Sequence, residues 1–98
     1  MYGRNMENPL NLIQNRGIPH ILVTLYEKGK LNVSQLSEKA GVCSGTLQRR
    51  LKDLKENNLL VEEIRESENS RLEKAYSLTD PGKELSKLLI LIREFEDG

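Results

Sequence analysis

Residues 44–57 read SGTLQRRLKDLKEN, and Thr46, Gln48, Arg49 and Lys52 among them carry hydrogen-bond donors on hydroxyl, amide or cationic side chains. A guanidinium or carboxamide can pair with a base edge through two parallel hydrogen bonds, whereas hydroxyls and ammonium groups suit phosphate oxygens. That chemistry requires the donors to share one face of a helix, with the core on the other. At 100° per residue with Leu47 as origin, Leu51 falls at about 40° and Leu54 at about 340°, one apolar stripe. Gly45, Arg49 and Lys52 lie opposite, at about 160°, 200° and 140°, with Thr46 and Gln48 on the flanks at about 260° and 100°. Arg49 and Gln48 are therefore the candidate base readers. Ser44, Thr46 and Lys52 are the candidate phosphate contacts, and Gly45 shares their face. Arg50 sits at about 300°, at the core edge, where it meets either a nucleic-acid backbone or a carboxylate. The plain alternative is a charged, solvated surface helix.

Such a face needs a scaffold, and the preceding residues describe one. Ser37 is a small residue where a second helix would cross, Gly41 allows a sharp turn, and Val42 is apolar just after it. Together with Leu47, Leu51 and Leu54 these are the requirements of a helix-turn-helix. Upstream, Ile18, Ile21, Leu22, Leu25 and Tyr26 recur at helical spacing behind Pro19, and Gly29 ends that helix. Leu31 is a short extended link. Asn32 and Gln35 form a capping pair ahead of Val33, Leu36 and Ala40, and Gly41 closes this second helix. The third helix ends near Asn57–Asn58, where asparagine tolerates the left-handed conformation.

Next, Leu60, Glu62 and Ile64 alternate on one side of a polar turn at Glu68–Ser70, with Leu72, Lys74, Tyr76 and Leu78 on the other, which predicts a β-hairpin. Arg71 is the candidate nucleic-acid contact of this hairpin, set among five glutamates; a purely structural hairpin is the alternative. Thr79 then caps a last helix over about 79–96, with Pro81 and Gly82 in its first turn. The expected fold is mainly α with a small β-hairpin wing: a winged helix-turn-helix with a three-helix core, a wing and a C-terminal dimerisation helix. In that last helix Leu85, Leu88, Leu89, Leu91, Ile92 and Phe95 span an arc of about 160°, wider than an ordinary core stripe. A homodimer seam of Leu88, Leu91, Ile92 and Phe95, with Leu10, Leu12, Ile13 and Tyr26, is the expectation; wrapping by residues 9–13 is the alternative.

The 98 residues amount to one domain, with residues 1–8 a loose end and no linker in between. Fifteen basic and fifteen acidic residues cancel, so charge placement matters more than total. Residues 44–57 hold Arg49, Arg50, Lys52 and Lys55 against Asp53 and Glu56, a surplus of +2, whereas residues 62–74 come to −2 from three basic and five acidic side chains. Cys43 is the only cysteine, which excludes an intrachain disulfide and fits a reducing cytoplasm. It reads as a small residue packed at the turn, with Ser44 capping the third helix; a thiol at a helix start is also one with a lowered pKa. His20 stands alone, so no metal site is expected, and no pattern for a cofactor or a catalytic group occurs. No apolar run is long enough for a signal peptide or a membrane span.

The runs GTLQRRLKDLKENNLLVEE and KAYSLTDPGKEL resemble winged helix regulators of the MarR and HxlR kind. The shared features are the Thr46–Leu47 pair, Arg50–Leu51, Leu54, the Leu/Val strand, and the stretch Tyr76, Leu78, Thr79, Gly82 and Leu85. Residues 17–25 resemble the first helix of HxlR-type proteins, so the similarity covers roughly 17–89. It implies a dimeric repressor or activator on double-stranded DNA at a palindromic operator. The chain departs from the family pattern in lacking a tryptophan in the first helix and an N-terminal cysteine, in Asn57–Asn58 replacing a glycine, and in its acidic wing. The other open function is a winged helix protein-interaction module without direct DNA reading.

Overall fold

The computed structural model describes residues 17–97. Their elements are α1 (Ile18–Lys28), β1 (Leu31–Asn32), α2 (Val33–Ala40), α3 (Ser44–Glu56), β2 (Leu60–Glu66), β3 (Leu72–Leu78) and α4 (Asp80–Asp97). The expected residues 1–8 and the seam residues Leu10, Leu12 and Ile13 lie outside the described part of the chain. β2 and β3 form the wing, antiparallel, with Leu60 opposite Leu78, Glu62 opposite Tyr76 and Ile64 opposite Lys74. The extended link at Leu31 is more than a link: with Asn32 it forms a third strand, giving the sheet order β1-β3-β2 with Leu31 opposite Tyr76.

The core gathers one stripe from each helix. Ile18, Ile21, Leu22 and Leu25 of α1 meet Leu36 of α2 and Leu47, Leu51 and Leu54 of α3, and Leu60, Tyr76 and Leu78 close the sheet side. Burying each leucine contributes about 2 kcal/mol. The leucine stripe of α3 is thus fixed inward, and its opposite face is left outside.

Two short connections set the angles. At the α2–α3 turn Gly41 adopts φ 68°, a left-handed conformation that favours glycine, and its N–H donates to Ser37 O at 3.0 Å. Ser37 is more than a small residue here: its hydroxyl donates to Val42 O at 2.7 Å. At the wing base, Asn58 takes φ 58°, the left-handed role read from the Asn pair. Thr79 then stitches two segments together. Its hydroxyl donates to Asn58 O at 2.7 Å, its N–H to Leu59 O at 3.1 Å, and the Gly82 N–H donates to its Oγ1 at 3.0 Å.

α4 crosses α1, and the fully buried Ser86 lies at the crossing with Oγ 3.2 Å from Leu22 O and 2.8 Å from Gly82 O. The wide apolar arc of α4 divides. Leu85 and Leu89 pack on the core, whereas Leu88, Leu91, Ile92 and Phe95 stay 57, 60, 52 and 88% exposed.

A Cβ on Gly82 would stand 2.2 Å from the carbonyl oxygen of Leu59, a backbone atom that cannot yield without moving the wing base. Gly82→Ala is expected to lower stability in urea unfolding by about 3 kcal/mol. Gly45→Ala, where an added Cβ meets nothing, should leave stability unchanged or raised by up to about 1 kcal/mol. Equal midpoints for the two variants would show that the junction is loose.

Candidate nucleic-acid interface

Because the leucines of α3 face inward, Ser44, Gly45, Gln48, Arg49 and Lys52 are all exposed and Thr46 is half-buried at the first turn. Neither Arg49 nor Lys52 enters an ion pair among the described residues. Arg50 differs. It is half-buried at the core edge, and its Nη1 lies 3.4 Å from Asp53 Oδ2 one turn on, so of its two expected contacts it makes the one to a carboxylate. The start of α3 is only weakly closed: its N-cap residue is Cys43, and no side-chain cap hydrogen bond of ordinary geometry forms there.

Beside α3 the wing forms the second wall of a cleft of about 250 Å³, lined by Gln48, Lys52 and Lys55 from the helix and Glu62, Lys74 and Tyr76 from the strands. Glu62 accepts from Lys55 Nζ and lies 3.4 Å from Lys74 Nζ. The bond from Lys55, outweighing partial desolvation, holds the Glu62 carboxyl below the usual carboxylate range and raises the Lys55 ammonium. Burial, then the Glu62 charge, pushes the Tyr76 hydroxyl up. Arg71 is exposed at the wing tip, in a loop closed by Ser67 N–H to Arg71 O at 2.7 Å.

The wing is anchored from behind by the α2 cap. Both halves of the capping box form: Gln35 N–H donates to Asn32 Oδ1 at 2.7 Å and Asn32 N–H to Gln35 Oε1 at 3.0 Å. Asn32 Nδ2 also donates to Glu73 Oε1 at 3.1 Å, and Arg65 Nε to Glu73 Oε2 at 2.9 Å. Arg65 Nη2 returns to Gln35 Oε1 at 3.4 Å, which closes the ring.

A helix pair with a tight turn, an open second helix and a wing alongside is the winged helix-turn-helix architecture, and the sequence of the HxlR-like helix-turn-helix family matches residues 12–98. The chain belongs to that family. It is a winged helix-turn-helix regulator of the HxlR/MarR type, and not an enzyme. Among solved structures, this HxlR-like chain is similar to a transcriptional regulator homologue from Pyrococcus horikoshii OT3, with 21% identity and a TM-score of 0.73 over 90% of this chain and 87% of that one. It is similar also to the reduced form of the transcriptional regulator YodB from B. subtilis, with 19% identity and a TM-score of 0.73 over 99% and 93% of the two chains. A mutant of Lactococcus lactis ZitR solved in complex with DNA matches with 25% identity and a TM-score of 0.60, over 74% of this chain and 47% of that one. No curated protein sequence matches significantly. Among the described residues of the HxlR-like chain, no cluster of metal-binding side chains occurs, and no helix is long and apolar enough to cross a membrane.

The reading of Cys43 needs correction. It is exposed rather than packed, and it is itself the N-cap, with Ser44 already inside the helix. A thiol is a poor capping acceptor, but its Sγ lies 3.4 Å from Thr46 Oγ1, whose hydroxyl can donate to the thiolate. Contact with the Thr46 hydroxyl, then with the Thr46 amide, draws the thiol below its ordinary pKa. Lys55 and Lys74 were missed as members of the cleft; on the helical wheel Lys55 falls at about 80°, beside Gln48, and that signal was available.

The midpoint of Cys43 alkylation by iodoacetamide against pH should lie below that of a free cysteine, and Thr46→Val should move it up. A midpoint that Thr46→Val leaves in place would remove the hydroxyl as the cause.

Proposed function

We propose that this HxlR-like protein binds double-stranded DNA sequence-specifically as a homodimer, with α3 in the major groove, and thereby regulates transcription. The observation that carries the reading is the bare donor row of α3: Gln48, Arg49 and Lys52 are exposed, opposite three buried leucines. Arg49 and Gln48 read bases; Ser44, Thr46 and Lys52 hold phosphates. The first turn, without a side-chain oxygen cap, adds the positive end of the helix dipole, favourable to a phosphate. Gly45 supports the same reading. A helical glycine costs about 1 kcal/mol against alanine, and no neighbour in the fold demands one here. A close-lying DNA backbone would. Arg50 contributes at the edge of the contact, and Arg71 reaches the adjacent backbone or minor groove from the wing.

The dimer reading rests on α4. Leu88, Leu91, Ile92 and Phe95 are more than half exposed, a run of apolar surface that soluble monomers seldom leave open. A groove of about 470 Å³ between α1 and α4, with Ile92 and Val23 on its walls, offers a seat for a two-fold mate; the assignment of Leu10, Leu12 and Ile13 to the seam rests on their apolar character in the sequence alone. Two-fold pairing would set the recognition helices about 34 Å apart, one turn of DNA. The whole chain acts as one domain in the cytoplasm, the compartment that a lone cysteine suits.

Affinity for duplex DNA should fall steeply as salt rises, and Arg49→Ala should weaken operator binding by about 1–3 kcal/mol with the fold intact. Fluorescence anisotropy across a salt series measures both. No salt-dependent binding would leave the protein-interaction module as the function. In light scattering, Leu88→Glu should convert dimers to monomers; an unchanged mass would rule out this seam.

A further inference from the structure

The cleft between α3 and the wing holds a carboxylate where a phosphate-binding surface would gain from none. Glu62 is the third residue of β2, its side chain is 18% exposed, and it stands opposite the buried Tyr76. It engages Lys55 from the last turn of α3 and Lys74 from β3, both of which stay largely exposed at the cleft mouth beside Lys52 and Gln48. One anion thus occupies two cations that could otherwise grip the backbone of any DNA. Phosphate contacts raise affinity without regard to sequence. Discrimination grows when contacts common to all sequences are weakened and those to the right bases are kept.

We infer that Glu62 is a specificity-determining residue, which withholds Lys55 and Lys74 from phosphates and repels a backbone lying in the wrong register, so that affinity depends on the base contacts of α3. This rests on the DNA-binding reading above. Glu62 also ties the C-terminal turn of α3 to the wing, and a purely structural role would consist of that tie alone. The two roles differ in sign. Loss of a structural tie weakens DNA binding; loss of the restraint strengthens binding to random DNA.

The test compares wild type and Glu62→Gln on a random-sequence duplex and on a duplex recovered by selection, over a salt series, with thermal unfolding as control. Glu62→Gln should bind the random duplex more tightly. Its plot of log affinity against log salt should steepen by about 0.9 for each lysine released, up to about 1.8. The ratio of selected to random affinity should fall. An unchanged or shallower slope, or weaker binding to the random duplex, overturns the inference. Should Glu62→Gln fail to fold, Lys55→Met with Lys74→Met in the wild-type background decides: a slope close to wild type supports the restraint, and a drop of about 1.8 shows that both lysines already hold phosphates. Wild type that binds no duplex at any salt brings down the DNA-binding reading and this inference together. Arg49-dependent binding with a Glu62→Gln slope equal to wild type brings down this inference alone.

Discussion

The fold turns on one close approach, that of Gly82 to the carbonyl of Leu59. Three segments meet there: the exit of α3 at Asn58–Leu59, the end of the wing at Leu78–Thr79, and the first turn of α4. Thr79 supplies the bonds and Gly82 supplies the room. Because Thr79 binds Asn58 and Leu59 directly, both strands of the wing are tied at their base to the exit of α3. Between α3 and the tied wing lies the cleft holding Gln48, Lys52 and Glu62. The same contact sets the origin of α4, from which Ser86 reaches α1.

Local chemistry was the legible part of the sequence. The leucines at 47, 51 and 54 oriented α3, Ser37, Gly41 and Val42 marked its turn, and the Asn pair marked its end. The alternation around Glu68–Ser70 marked the hairpin, and the structure supplies its register, with Leu60 opposite Leu78. Each of these signals involves residues a turn apart or strands joined by one tight loop. Family resemblance in the Tyr76–Leu85 stretch was equally readable, and the junction now gives its threonine and glycine a physical reason.

What escaped was long-range or depended on a partner surface. β1 has two residues, too few to show a period, and its pairing with β3 spans more than forty positions. The single apolar arc of α4 could not reveal that Leu85 and Leu89 turn inward while Leu88 and Ile92 do not, because a helical wheel orders residues by angle and says nothing of where the neighbouring helix lies. Cys43 was misplaced by one residue, a shift that changes a thiol from packed to exposed. The Glu62 cleft needed the wing and α3 set side by side before its charges could be matched.

The ring of Asn32, Gln35, Arg65 and Glu73 has a mechanical consequence. The two side chains that cap α2 also hold the wing from behind, Asn32 by donating from Nδ2 to Glu73 and Gln35 by accepting at Oε1 from Arg65. The hairpin is therefore no free arm on a hinge. To swing it must break its bonds to the very side chains that cap a neighbouring helix, so a displaced arm leaves the first turn of α2 with two capping residues less firmly held, beside the helix that α2 packs against, α3.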